Sequence, residues 1–155
     1  MGTRSLTRVF STYNDEKKNK QVKEQLVNMY RQYDGYPSGH GDELADFLNS
    51  GKVVNGIGGN ETQRVFNGAG CLAAQMIAHF KGGAGGIYIE PISAKNCGQD
   101  YEYEIYVDWV THEITFKCFE NGYINKKGEY KSGKKLLFEG KPSEFSSWLE
   151  KYEIV

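Results

Sequence analysis

Residues Tyr101 to Trp109, Y-E-Y-E-I-Y-V-D-W, alternate between large apolar and polar side chains. In an extended chain one face would carry Tyr101, Tyr103, Ile105, Val107 and Trp109, and the other Glu102, Glu104, Tyr106 and Asp108. A period of two is typical of a strand with one face in the core. The chain must therefore contain a sheet with a covered face, and an antiparallel sheet fits this pattern best.

Other segments supply further strands and three helices. Strands are predicted at Thr3–Thr12, Glu24–Tyr33, 86–92, 113–119 and Lys134–Glu139, with helices at Asp42–Gly51, about Glu61–Lys81 and after Pro142. We expect one α+β domain over residues 1–155, with a mainly antiparallel sheet of five to six strands. Two helices are inserted after strand 2, a third is C-terminal, and all are expected on one face of the sheet.

The long helix has an uncertain start. Asn60 and Gln63 resemble a capping box, which favours a start near Glu61. Gly68 and Gly70 would then lie inside the helix, each at a cost of about 1 kcal/mol relative to alanine. They indicate either close packing against the sheet or a later start near Ala69.

Composition disfavours several classes of protein. Lysine and arginine number 19 against 20 acidic residues, a net charge of −1, so we expect no nucleic-acid partner. The three cysteines have no C-x-x-C pair, and no metal or cofactor is expected. No window approaches the roughly 18 apolar residues of a membrane span, so a soluble intracellular protein is expected. A homo-oligomer remains open.

The segment Tyr30–Leu44, Y-R-Q-Y-D-G-Y-P-S-G-H-G-D-E-L, has the composition of a binding site. Its three tyrosines can stack on a planar ligand, and its glycines let the backbone approach a partner closely. The segment leads into a helix N-terminus, where free N–H groups favour anions. The candidate ligand-binding residues here are Tyr30, Arg31, Tyr33, Asp34, Tyr36, Ser38, His40 and Asp42.

A second glycine-rich segment, Asn55–Asn60, precedes the long helix but lacks the lysine of a P-loop. It is either a loop between helices or an anion cradle. In the second case Arg64, one turn inside the helix, would pair with a phosphate.

Catalysis is less favoured than binding. Ser38, His40 and Asp42 lie too close in sequence for the roles of a catalytic triad, because alternate residues on a loop rarely converge. An enzyme that uses His40 as a general base remains an alternative.

Three segments together resemble an uncharacterised family of small accessory proteins encoded by large tailed bacteriophages. They are M-G-T-R-S-L-T at the start, the Y-R-Q-Y-D-G-Y-P-S-G-H-G motif, and N-G-A-G-C-L-A-A downstream. The resemblance implies a protein made in the host cytoplasm during infection, and it assigns no catalytic residue.

Phage proteins of this size commonly neutralise host defences, which gives two functional hypotheses. The first is a sponge that binds a small anionic, nucleotide-like immune signal through the tyrosines, Arg31 and His40. The second is an inhibitor of a host protein, or a virion component, that uses the tyrosine-rich surface as an interface. A small hydrolase or transferase comes third.

Overall fold

The computed structural model describes residues 2–56 and 63–153. The strands are β1 (Ser5–Asp15), β2 (Lys20–Arg31), β3 (Gly51–Val54), β4 (Arg64–Asn67), β5 (Ile87–Ile89), β6 (Tyr101–Asp108), β7 (Ile114–Ile124) and β8 (Tyr130–Gly140). The helices are α1 (Asp42–Asn49), α2 (Gly68–Phe80) and α3 (Phe145–Glu153). A π-helical turn (Pro37–Gly41) precedes α1, and a 3-10 turn (Pro142–Glu144) precedes α3.

The fold is α+β, as predicted, and its main sheet has six strands in the order β5-β2-β1-β6-β7-β8. Four of the five strand pairs are antiparallel. The central pair, β1 with β6, is parallel. The sheet is therefore mixed, which corrects part of the prediction. The alternation in β6 specifies which face is buried but not the direction of the neighbouring strand.

The second part of the chain differs from the predicted pair of consecutive helices. α1 and α2 are separated by β3 and β4, which form a small parallel sheet of their own. α2 begins at Gly68, so the later of the two predicted starts is close to the observed one. Arg64 consequently lies in a strand and not in a helix. The capping box predicted from Asn60 lies outside the described residues.

One apolar core joins the helices to the sheet. It includes side chains of all three helices, among them Leu44, Leu72 and Phe145, and of the sheet, among them Ile105 and Phe116. The face predicted from the alternation in β6 is thus the buried one. Trp109, predicted on that face, instead lies in the turn after β6 and is 70% exposed.

The opposite face of the sheet, here called the outer face, is partly covered by the segment between β5 and β6. Asn28 Nδ2 donates to the carbonyl oxygens of Pro91 and Ala94 at 3.1 and 3.0 Å. The cover buries Arg8 and Glu102, which form an ion pair across β1 and β6. The polar face of β6 is therefore not simply a solvated face. Within the described ranges, no helix is long and apolar enough to cross a membrane.

Candidate functional site

The motif Y-R-Q-Y-D-G-Y-P-S-G-H-G (Tyr30–Gly41) folds into a compact loop between the end of β2 and the start of α1. The amide of His40 donates to the carbonyl oxygen of Asp34 at 2.7 Å, and Asp34 has a left-handed φ of 55°. A Cβ on Gly39 would lie 2.5 Å from that same carbonyl oxygen. A Cβ on Gly41 would lie 2.9 Å from the hydroxyl oxygen of Tyr103. The glycines at these two positions are thus required by packing within the protein.

His40 lies in the core and not on the surface of the motif. Its side chain is fully buried and packs edge-on against the rings of Phe80 and Tyr103. Burial, followed by the charge of Arg31, lowers the pKa of His40 to about 3. A neutral, buried imidazole offers neither charge nor surface to a ligand phosphate, in contrast to the role predicted from the sequence.

The guanidinium of Arg31 also binds groups of the protein itself. Its guanidinium donates to Nδ1 of His40 at 2.8 Å and to the carbonyl oxygen of Tyr33 at 2.8 Å. It also pairs with Glu43 at 3.2 Å. Acidic residues dominate the adjacent end of α1: burial, then the charges of Asp46, Glu153 and Glu43, raises the pKa of Asp42. The electrostatic environment of the motif therefore disfavours an anion.

The three tyrosines of the motif lie in different places. Tyr30 is on the outer face, buried against Tyr88 with ring centroids 6.0 Å apart. Tyr33 is 51% exposed and lies beside Arg31, and Tyr36 is 39% exposed and donates to Asp34 at 3.4 Å. Ser38 is exposed. No described contact joins the three rings, and ligand binding by Tyr33 and Tyr36 stays a prediction.

Arg64 is not part of this cluster. Its guanidinium lies over the ring of Phe47, 5.0 Å from the centroid, in the small parallel sheet. The glycine-rich segment that would complete the predicted anion cradle lies largely outside the described residues.

A groove on the outer face offers a better-formed candidate site. We call it the outer-face groove, and it has a volume of about 580 Å³. Its lining residues are Thr12, Gln21, Lys23, Tyr106, Asp108, Thr111, Glu113, Thr115, Lys117 and Glu139. The volume is within the range typical of small-molecule sites. The lining is rich in hydroxyl, amide and ammonium groups, which are hydrogen-bond donors.

Two lysines converge on one ring in the groove. The ammonium groups of Lys23 and Lys117 lie 5.7 and 4.8 Å from the ring centroid of Tyr106. The ring of Phe10 stacks on Tyr106 at 4.8 Å with an interplanar angle of 9°. The groove thus combines two cations with an aromatic platform supported from one side.

The ring of Tyr106 is held in place by a chain of hydrogen bonds. Its hydroxyl donates to Glu104 at 2.5 Å, and Lys134 donates to the other oxygen of Glu104 at 2.8 Å. Burial favours a raised pKa for Glu104, but the hydrogen bonds from Lys134 and Tyr106 outweigh it and lower the pKa. Burial, and then the bond to Glu104, raises the pKa of Tyr106. Glu104 stays ionised and Tyr106 stays a neutral donor at physiological pH.

Two acidic residues of the groove, Asp108 and Glu139, already have partners within the protein. Asp108 accepts hydrogen bonds from the amides of Val110 and Thr111, both at 2.8 Å, and these bonds contribute to the lowered pKa of Asp108. Glu139 lies 3.9 Å from Lys117. The groove thus holds two lysines and three carboxylates, and a ligand would meet the exposed carboxylate of Glu113 as well as the two ammonium groups and the hydroxyl groups.

Sequence reasoning did not find this groove. Tyr106 and Lys117 lie on β6 and β7, which are consecutive in the sequence, but Lys23 lies on β2, and only the strand order brings it to the other two. The one available signal was the polar face of β6, on which Tyr106 lies between Glu104 and Asp108.

Among residues 2–56 and 63–153, no group of three or more His, Cys, Asp or Glu side chains could hold a metal ion. No protein-family model, no curated protein and no solved structure matches this chain.

Proposed function

We propose that this protein is a non-catalytic binding protein for a small, phosphorylated, base-containing ligand, and that the ligand occupies the outer-face groove. The observation that carries the proposal is the convergence of Lys23 and Lys117 on Tyr106. Two ammonium groups at one ring suit a phosphate, and the ring suits a planar base.

The size and lining of the groove support the same class of ligand. A volume of about 580 Å³ accommodates a nucleotide-sized molecule. Thr12, Thr111 and Thr115 supply hydroxyl groups that can pair with a sugar. Phe10 covers one face of Tyr106, so a base would stack on the opposite face and displace any ammonium group that lies over it.

Binding without chemistry is supported by the state of the titratable groups in the motif. His40, the candidate general base, is buried and neutral, and its Nδ1 accepts a hydrogen bond from Arg31. Ser38 is exposed while His40 is in the core, so the two do not form a nucleophile and base pair.

The resemblance to phage accessory proteins supports a biological setting for this activity. In the proposal, the protein acts in the host cytoplasm and sequesters a nucleotide-derived immune signal. A sponge releases its ligand unchanged when the complex is denatured, whereas an enzyme would release a product. Mass spectrometry of the released ligand separates the two.

The binding test is calorimetry against a panel of linear and cyclic nucleotides, with inorganic phosphate as a further probe. We expect at least one nucleotide to bind the wild-type protein. Lys23→Met and Lys117→Met remove one charge each but keep an apolar side chain of similar length, and we expect each to weaken binding about tenfold, or about 1.4 kcal/mol. Lys151→Met, at an exposed position of α3, is the matched control. Absence of binding by every probe would contradict the proposal.

A second candidate function is inhibition of a host protein, and one observation favours it. Trp109 and Val110 are 70% and 73% exposed, side by side in the turn after β6. Exposed tryptophan is typical of interface hot spots. A stoichiometric host complex that Trp109→Ala abolishes, in a protein that binds no nucleotide, would favour this function over the first.

A further inference from the structure

The end of the β7–β8 hairpin projects beyond the rest of the main sheet. β6 pairs with β7 only as far as Glu120, opposite Tyr101. The amide of Asn121 still donates to the carbonyl oxygen of Asp100, just before β6. Beyond Asn121, β7 pairs with β8 alone, down to Ile124 opposite Tyr130. We call residues 122–133 the arm.

The arm concentrates positive charge. It contains three lysines (Lys126, Lys127 and Lys131) and one acidic residue, Glu129, a net charge of +2 in a chain whose net charge is −1. The remainder of the chain therefore carries −3. The net charge of the whole chain, from which no nucleic-acid partner was expected, averages over this separation of charge.

The arm also exposes apolar surface. Ile124 and Tyr130 are 68% and 70% exposed. A projecting ribbon that presents both lysines and large apolar side chains is suited to docking on an acidic surface that has an apolar part.

The same chain carries such a surface. Asp42, Glu43 and Asp46 lie on α1, which packs against α3, the helix that ends with Glu153. After burial, the charges of Asp46, Glu153 and Glu43 contribute to the raised pKa of Asp42. We call these four residues the acidic patch. Within the described residues, its only ion pair is that of Glu43 with Arg31. Tyr152, next to Glu153, adds a partly exposed ring.

We propose that the arm of one copy of this chain docks on the acidic patch of a second copy. Each copy carries one arm and one patch, so a mutual exchange closes a two-fold dimer. Direct pairing of two β8 edges is disfavoured, because it would bring the lysines of the two strands together.

The test is a charge exchange read by sedimentation velocity. The arm variant is Lys126→Glu with Lys127→Glu, and the patch variant is Asp46→Lys with Glu153→Lys. Wild type should be a dimer at about 0.1 M salt and dissociate toward about 1 M salt, as the Debye length falls from about 10 Å to about 3 Å. Each variant alone should associate at least about tenfold more weakly, since like charges then face each other.

An equimolar mixture of the two variants should recover the dimer, because both arm–patch contacts in the mixed pair join opposite charges. Lys17→Glu with Lys18→Glu, in the β1–β2 turn, is the control and should dimerise like wild type. Circular dichroism establishes that each variant is folded.

A wild-type protein that is monomeric at low salt would overturn the proposal, as would a mixture that stays monomeric. A monomer that binds a single-stranded oligonucleotide through the arm, measured by fluorescence anisotropy, would assign the arm to nucleic acid instead and would also overturn it. Failure here leaves the proposed ligand in the outer-face groove untouched, since calorimetry tests that ligand separately.

Discussion

Arg31 and His40 meet through a single hydrogen bond of 2.8 Å from a guanidinium nitrogen to Nδ1 of the imidazole. Because arginine can only donate, Nδ1 must accept, and the neutral ring carries its proton on Nε2. This bond ties β2 to the π-helical turn that leads into α1. A residue pair that resembled a phosphate site in the sequence thus stabilises the loop itself.

The first prediction concerns acid stability. The pKa of His40 is about 3 in the folded protein, against an ordinary value of 6.5. Between these values the unfolded chain binds a proton that the folded protein excludes, so the free energy of unfolding should fall as the pH drops from about 6.5 toward about 3. The full contribution of neutral His40 is present only above about 6.5.

His40→Gln keeps an acceptor for Arg31 but does not titrate. Its unfolding free energy, from urea melts at several pH values, should fall less steeply than that of wild type across this window. The scale is about 1.4 kcal/mol for each unit of pKa difference. His79→Gln, at an exposed position, should retain the wild-type slope. Equal slopes for wild type and His40→Gln would refute the assignment.

The second prediction concerns the glycines of the motif. Gly39→Ala should destabilise the protein by about 1 to 3 kcal/mol, because its Cβ would lie 2.5 Å from the carbonyl oxygen of Asp34. Gly70→Ala is the matched control, since a Cβ there meets nothing within 4 Å and the residue is in α2. The control should be neutral or stabilising by up to about 1 kcal/mol. Thermal melts of both variants measure the change in stability. A melting temperature for Gly39→Ala equal to that of wild type would show that the loop adapts to the added Cβ.

The third prediction concerns the buried ion pair of the outer face. Arg8→Met leaves Glu102 buried without its main partner, which typically costs about 3 to 5 kcal/mol. Lys134, 3.7 Å from Glu102, should reduce the loss to the lower end of that range. Glu129→Gln breaks a pair with Lys131 that is about half exposed, and it should cost less than about 1 kcal/mol. Similar losses in the two denaturant melts would mean that the outer face is more hydrated than the structure indicates.

The sequence was informative where a local pattern determines structure. The alternation of Tyr101–Trp109 identified β6 and its buried face, and the apolar spacing after Asp42 identified α1. Residues 64–67 were wrongly predicted to be helical because Val65, with Ala69 and Leu72, fits a helical stripe as well as a strand. A pattern of four residues cannot separate the two periods, and pairing with β3 decided the outcome.

The candidate site was harder to predict, for a different physical reason. The motif was identified as unusual because of its composition, but composition does not distinguish residues that bind a ligand from residues that pack a tight loop. The outer-face groove depends on Lys23 of β2 meeting Tyr106 and Lys117, which belong to the consecutive strands β6 and β7. That meeting follows from strand order, which the sequence pattern left open.

The most direct test of the proposed function is an NMR titration that locates the ligand. Amide spectra of the ¹⁵N-labelled protein are recorded with the nucleotide that binds most tightly in calorimetry. We predict shifts at Lys23, Tyr106 and Lys117, with no comparable shifts from Tyr33 to His40. Shifts confined to the motif, with none in the outer-face groove, would contradict the account.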